Sequence, residues 1–297
     1  MNPATPGCTQ VKNLPLRVCC AIYDNKIIML PYLSFTEINI GALTLQVWGI
    51  FVVLGFIFAL AISLKEARKI HLDEGIIWDV MIIALLGMVV GGRTFYVLSN
   101  PEKNIAALSD AHSGFSLAGG ILLAGALSLV YLKNKKQDFK KIADLLTPGF
   151  ISSLILVRIG CFLVNDHIGK ITTLPWGVGF TDGTMRHPVA LYEILFLVFL
   201  LGIIYRLKSK QKRAGFIFIV FAVAYAIFRL GADFLRCDDL SFCDLRIYGF
   251  TLTQWVLSGL FVYFFLTLLC EKYIHKMRFV ANSKNNCITP FGLLYYI

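Results

Sequence analysis

Five ionisable residues stand inside stretches that are otherwise apolar: Arg93, Arg158, Glu193, Arg229 and Asp233. An ionisable side chain held within a membrane costs about 2.5 to 3.5 kcal/mol on insertion scales, so one that is retained is a functional candidate. In the last of these stretches Tyr225, Arg229, Asp233 and Arg236 follow one another at spacings of four, four and three. That spacing stacks them on one helix face as a polar stripe. Arg229 and Asp233 taken alone could be a mutually satisfied pair. Three arginines at one depth against few acids call for a further anion, and the guanidinium fork suits a phosphate gripped by two hydrogen bonds. The chemistry these residues fit is the binding of an anionic lipid headgroup near a membrane surface.

Other candidates carry weaker signals. His167, His187 and Asp166 offer metal-ligand atoms, but their spacing matches no known ligand set, and no metal is expected. Cys237 and Cys243 lie in a loop where a disulfide is compatible with the surroundings, although a separation of six residues does not by itself establish one. Gly87, Gly91 and Gly92, and later Gly114, Gly119, Gly120 and Gly125, fall at small-xxx-small spacings. Such spacings are read as close helix packing.

These residues must be positioned by elements that suit a very apolar chain. Of 297 residues 57% are hydrophobic and 15% charged, and the mean hydropathy is +0.72. A soluble domain averages about 25% charged residues, so this chain has too little polar surface to cover a globule. Crossing about 30 Å of hydrocarbon takes roughly 20 apolar residues. Seven runs qualify, at 44–64, 75–98, 115–132, 142–164, 188–206, 214–236 and 251–273. Continuous runs such as Ile194 to Ile204 lack the alternation of barrel strands, so the expected fold is all-α, with seven transmembrane helices. The organisation is an N-terminal extracytoplasmic segment over 1–43, a helical domain over 44–273 and a cytoplasmic tail over 274–297. Residues 1–28 read as an extension, because Met29 opens the segment that leads smoothly into the first run. No internal repeat and no glycine-rich phosphate loop is evident.

The formal net charge of +10 follows from where the basic residues lie. The segments after the first, third and fifth runs, with the C-terminal tail, hold 17 of the 28 lysines and arginines. By the positive-inside rule those segments are cytoplasmic, which puts the N-terminus outside and the C-terminus inside. A nucleic-acid patch is excluded, because the basic runs recur on one side only and carry no interleaved aromatics. With this orientation Arg93, Arg158, Glu193, Arg229 and Asp233 all fall within about 10 Å of the outer surface, at 1.5 Å of helix rise per residue. No comparable residue is expected in the inner halves.

The run Arg186-His187-Pro188-Val189-Ala190-Leu191-Tyr192-Glu193 resembles the RHPxQLYE motif of prolipoprotein diacylglyceryl transferases. So do Gly91-Gly92-Arg93 with Tyr96, and the stretch from Arg158-Ile159-Gly160 through Phe162, Asp166 and Gly169 to Leu174-Pro175-Trp176-Gly177. The stripe Tyr225, Arg229, Asp233, Phe234 and Arg236 is similar to the family's Tyr-x3-Arg-x3-Glu-Phe-x-Arg pattern. Order and spacing agree from about Met29 to Glu271. The resemblance implies transfer of the diacylglyceryl group of phosphatidylglycerol to the lipobox cysteine of a preprolipoprotein, with release of glycerol phosphate, in the bacterial plasma (inner) membrane at a site facing the outer leaflet. Its partners would be phosphatidylglycerol and the signal peptides of preprolipoproteins, with no nucleic acid and no cofactor. The implied catalytic residues are Arg158, Arg229, Asp166 and His187. Arg158 would also bind the lipid, together with Arg93, Tyr225, Asp233, Arg186, Tyr192 and Glu193.

The chain departs from the family pattern at several points. Many members carry a functional His in Ser-Phe-His-Gly-Gly, where this chain has Ser116-Leu117-Ala118-Gly119-Gly120. Alanine is no base, so the base must come from elsewhere, and His167 and His187 are the candidates. Cys161 replaces an Asn, Asp166 and Asp233 each replace a Glu, and Trp48-Gly49 stands for Tyr-Gly. Two other readings stay open at this point: a transporter or flippase of an anionic lipid, and an inactive lipid-binding homologue.

Overall fold

The computed structural model describes residues 8–10, 17–19, 35–40, 43–99, 116–166, 168–180, 184–209, 213–239, 243, 246–251, 254–255 and 258–259. Six helices occupy the first six apolar runs: α1 (Val47–Lys69), α2 (Glu74–Ser99), α3 (Leu117–Asn134), α4 (Phe139–Val164), α5 (Val189–Lys208) and α6 (Phe216–Asp233). All but α3 are long and apolar enough to cross a membrane, and α3 is apolar but shorter. Large apolar side chains such as Leu98, Leu195 and Phe199 stand exposed on the outer faces. Against lipid tails that exposure carries no penalty. Most of the seventh run, the tail 274–297, His167 and Gly114 lie outside the described residues.

Successive helices run in alternating directions, so Lys69, Lys133 and Lys208 collect at one end of the bundle, here called the basic end. Four short antiparallel hairpins were not anticipated by hydropathy: β1 (Cys8–Gln10) with β2 (Arg17–Cys19), β3 (Glu37–Ile40) with β4 (Leu43–Gln46), β5 (Val178–Gly179) with β6 (Met185–Arg186), and β7 (Arg246–Ile247) with β8 (Phe250–Thr251). They leave the all-α expectation intact for the described helices.

Small residues set the two tightest helix pairs. Between α2 and α3, a Cβ on Gly87 would lie 2.6 Å from Ala124 Cα, and one on Gly91 would lie 2.5 Å from the Gly119 carbonyl oxygen. The close packing expected of these glycines is found at Gly87, Gly91, Gly119 and Gly120 but not at Gly125, where a Cβ would meet nothing within 4 Å. Between α1 and α4, a Cβ on Gly149 would lie 2.6 Å from Ala59 O. Pro148 is accommodated in α4 beside this contact, where Thr147 Oγ1 and Ser152 Oγ donate to the Ala143 and Pro148 carbonyl oxygens. Ile151, Leu197, Leu200, Ile204, Ile217 and Phe221 form an apolar core joining α4, α5 and α6. Two further clusters, around Ile77 with Leu145 and around Val80 with Leu132 and Ile142, tie the α2–α3 pair to α1 and α4 toward the basic end.

The helix halves toward the basic end are not free of buried ionisable groups, which corrects the sequence-based expectation. Asp144, in the first turns of α4, is buried and accepts hydrogen bonds from the backbone N–H of Gly215 (2.7 Å) and Phe218 (2.8 Å). It thereby satisfies donors at the start of α6 that have no partner within the helix. Glu66 is buried near the end of α1 and receives Lys69 Nζ at 2.7 Å and Lys208 Nζ at 2.5 Å.

The chain divides into two compact units, Met1–Cys243 and Asp244–Ile297. In the second, Tyr248 (φ 53°) and Gly249 (φ 81°) turn β7 into β8, the pair of positive φ values that a two-residue hairpin turn requires. Gln254 N donates to Thr251 Oγ1 at 3.2 Å, and Thr251 N donates to Gln254 Oε1 at 2.9 Å. This reciprocal box marks a helix N-terminus at the start of the seventh apolar run.

Candidate functional site

Glu193 lies in the first turns of α5 at the end opposite the basic one, and it is fully buried. Its Oε1 accepts a hydrogen bond from the Tyr225 hydroxyl at 2.6 Å and lies 2.8 Å from Arg158 Nε. That second contact pairs charges without the alignment of a hydrogen bond. Oε2 accepts from Arg229 Nη1 at 3.2 Å. Arg229 Nη2 in turn lies 3.4 Å from Asp233 Oδ1, which Arg236 Nη1 approaches at 3.7 Å. The charges thus alternate Arg158, Glu193, Arg229, Asp233, Arg236 across the ends of α4, α5 and α6. Five of the residues picked out in the sequence meet here, joined by Arg236 from the same stripe. Three guanidinium groups against two carboxylates leave this set of five charges net positive. Two charges taken out of water gain less from each other than they lose unless further hydrogen bonds complete the geometry. Tyr225 supplies one such bond.

Beside the cluster lies a small cavity lined by Cys161, Phe162, Asn165, Phe180, His187 and Ala190, between the end of α4 and the start of α5. Cys161 stands one turn after Arg158, whose Nη1 donates to its sulfur at 3.9 Å. α4 stops at Asn165, whose left-handed backbone (φ 57°) ends the helix. Opposite, His187 Nδ1 is 3.1 Å from the Tyr192 hydroxyl, and Trp176 Nε1 donates to that same oxygen at 2.9 Å. Burial pushes His187 below the ordinary imidazole value. The ring is therefore neutral near pH 7.

His187 is carried by a ribbon of backbone pairings. Cys237 N donates to Ile168 O (3.0 Å), Lys170 N to Leu235 O (2.8 Å), His187 N to Lys170 O (3.0 Å) and Thr172 N to Met185 O (2.7 Å). The stretch 168–172 is thus flanked by 235–237 on one side and 185–187 on the other, and β6 then pairs with β5. Gly169 is required where these strands cross, because a Cβ there would lie 2.2 Å from His187 O. Arg186 does not join the Glu193 cluster. Its guanidinium forks onto Asp239, with Nη1 to Oδ1 at 2.9 Å and Nη2 to Oδ2 at 2.6 Å, and Nη1 also donates to Gly169 O at 3.2 Å. Arg186 is 1% exposed.

Arg93 is half-buried on α2, next to the glycines that meet α3. Ser116 N donates to Gly92 O at 3.0 Å and Ser116 Oγ accepts from Gly119 N at 3.3 Å, so Ser116-Leu117-Ala118-Gly119-Gly120 forms the capped start of α3 beside Gly91-Gly92-Arg93. Two motifs separated in sequence are neighbours in space. Asp166 is exposed just past α4, its N–H donating to Cys161 O at 3.2 Å. The sequence reading missed Asp239, and it missed the wall that Cys161 gives the cavity. For Asp239 the available signal was an acid within a cysteine-bounded loop. For Cys161 it was a polar position one turn beyond Arg158.

Residues 36–270 match the family described as prolipoprotein diacylglyceryl transferase. Among curated proteins, the chain is 32% identical to the phosphatidylglycerol–prolipoprotein diacylglyceryl transferase of Finegoldia magna, covering 70% of this chain and 86% of that protein. It is 31% identical to the enzyme of the same name from Solidesulfovibrio magneticus, over 82% of this chain and 96% of that one. With the Clostridium tetani enzyme of that name it shares 30% identity, over 64% and 80% respectively.

Proposed function

The chain belongs to the prolipoprotein diacylglyceryl transferase family, and from this premise we propose that it transfers the diacylglyceryl group of phosphatidylglycerol to the lipobox cysteine of preprolipoproteins, releasing glycerol phosphate. The acceptor thiol gives its proton to a base. Sulfur then bonds to the glycerol carbon, the bond from that carbon to the phosphodiester oxygen breaks, and its electron pair leaves with glycerol phosphate. The observation that carries this reading is the buried Glu193 carboxylate shared by Arg158, Arg229 and Tyr225. A guanidinium pair held by one carboxylate is oriented in advance for charge that develops on a phosphate oxygen. Arg158 and Arg229 are the clamp, oriented by Glu193, Tyr225 and Asp233, with Arg93 as a further lipid contact from α2.

His187 is the base. For Nε2 to take the thiol proton, Nδ1 must carry the ring hydrogen and donate it to the Tyr192 oxygen, a tautomer compatible with the 3.1 Å contact. Asp166 directly follows Asn165, which lines the same cavity. The membrane arrangement is seven helices with the N-terminus outside and the C-terminus cytoplasmic, in the bacterial plasma (inner) membrane, so that the basic end faces the cytoplasm and the clamp faces the outer leaflet. Signal peptide and lipid then reach the site from the bilayer.

The test is turnover of a lipobox peptide by purified protein in phosphatidylglycerol vesicles, read as thioether product. Arg158→Ala and Arg229→Ala are each expected to lower it by about 100-fold or more, as for the loss of a transition-state donor. Full turnover by both variants would reject the clamp. Movement of lipid across the vesicle without product would indicate the transporter reading instead.

A further inference from the structure

The segment that follows α6 carries a feature the proposed reaction does not use. Cys237 and Cys243 are joined in a disulfide, and Asp239 lies inside the loop it closes. Asp239 is the partner of Arg186, reached from 53 positions away along the chain. The Arg186 guanidinium holds this carboxyl below the usual carboxylate range. On the far side of the contact, Arg186 is nearly inaccessible and stacks its guanidinium 5.6 Å from the centre of the Phe180 ring. Neighbouring Asp238 makes a separate, more exposed pair with Lys170 at 2.9 Å.

The geometry of the ribbon gives Asp239 a particular place. The stretch 168–172 is its middle strand, 235–237 one outer strand and 185–187 the other. The Arg186 side chain starts from one outer strand, donates to Gly169 O on the middle one, and ends on Asp239 just beyond the opposite strand. Its bidentate grip therefore fastens the two outer strands across the middle one. One of those strands bears His187 and the other bears Arg236. A two-residue hairpin and a few isolated bridges have little stability of their own. A buried arginine left without its carboxylate would be an uncompensated charge. The disulfide confines the chain on both sides of Asp239 and so removes the freedom that would otherwise oppose this contact.

We propose that Asp239, held by the Cys237–Cys243 disulfide, is a positioning residue that acts through Arg186 to fix the strand bearing His187 against the cavity. This rests on the transferase reading for the reaction it serves. Because the disulfide forms only where thiols can be oxidised, full activity is reached after this loop has met an oxidising compartment.

The experiment compares the wild type, Asp239→Asn, Asp239→Glu, the double variant Cys237→Ser/Cys243→Ser, and the triple variant that adds Asp239→Asn to it. Each is tested for lipobox-peptide turnover in phosphatidylglycerol vesicles and for hydrogen exchange at the Lys170, Thr172 and His187 amides. Misplacing a reacting group by about 1 Å can lower a rate by about 100-fold. Asp239→Asn and the double variant are therefore each expected to lower kcat by about 10- to 100-fold, with KM for lipid within about 3-fold, and to speed exchange at those amides. Asp239→Glu is expected to recover most of the rate. The triple variant is expected to match Asp239→Asn, since one contact is lost in both and coupled losses do not add. Asp238→Asn, which removes the exposed charge pair with Lys170, is the control and should stay within about 2-fold of wild type. Unchanged exchange, kcat within 2-fold of wild type in Asp239→Asn, or losses that add in the triple variant would overturn the proposal. A wild type that forms no thioether, with the exchange pattern as expected, would instead overturn the transferase reading and leave the fastening intact.

Discussion

Removing the Glu193 carboxylate would leave the Arg158 and Arg229 guanidinium groups buried without their shared anion, and the Tyr225 hydroxyl without its acceptor. Breaking a buried pair from one side is destabilising by about 3 to 5 kcal/mol. Glu193→Ala is therefore expected to lower the thermal unfolding midpoint of the detergent-solubilised protein markedly and to abolish turnover. A midpoint within a degree of wild type would contradict the burial of this node. His187 gives a second prediction with a definite sign. Its value lies below the ordinary 6.5 because burial disfavours the charged ring, so in the folded protein it binds a proton less readily than in the unfolded chain. Its contribution to stability is then fully present above about 6.5 and is lost as pH falls through the lower folded value. Turnover should show an acid limb below 6.5, and that limb should vanish in the residual activity of His187→Gln. A wild-type limb centred above 6.5 would remove His187 from the role of base. The clustered residues were legible because a charge inside an apolar run has few bland explanations. The Arg186–Asp239 pair was not, since both residues lie in polar loop sequence where nothing local marks a partner.

Among the elements, the six described helices fall where sustained apolarity placed them, because hydropathy over about 20 residues is a strong and local signal. Which helices touch is a different matter. The glycines of α2 and α3 advertised their seam, whereas the α1–α4 contact at Gly149 and Ala59 rests on a lone glycine that no Gly-xxx-Gly spacing marks. The short hairpins escaped notice because two to four residues carry no periodicity to detect. Gly87→Leu tests the α2–α3 seam. Its first added atom would meet Ala124 backbone at 2.6 Å, which cannot rotate aside. Overpacking of this kind costs about 3 kcal/mol, and the expected readout is a lowered unfolding midpoint. Gly125→Ala points into open space and should leave the midpoint unchanged or raised, since alanine is favoured over glycine inside a helix by about 1 kcal/mol. Equal effects of the two would mean that the seam lies elsewhere.

For the whole molecule, orientation rests on charge asymmetry. A reporter active only in the cytoplasm should work when fused after Lys272 and fail when fused after Ser99, since short connecting segments rich in Lys and Arg stay on the cytoplasmic side. Activity after Ser99 alone would invert the arrangement and move the clamp to the other leaflet. The way the α2–α3 pair is fastened has a mechanical consequence. Its apolar ties to α1 and α4 gather around Ile77, Val80 and Leu132, while its glycine seam holds the two helices in close contact. From Val80 to Arg93 the helix rises about 20 Å. A rotation of about 5° about the tied end would sweep Arg93 through roughly 2 Å, about the difference between a hydrogen bond made and one broken. The pair is a lever whose short, stiff base sits far from Arg93, the lipid contact proposed for it.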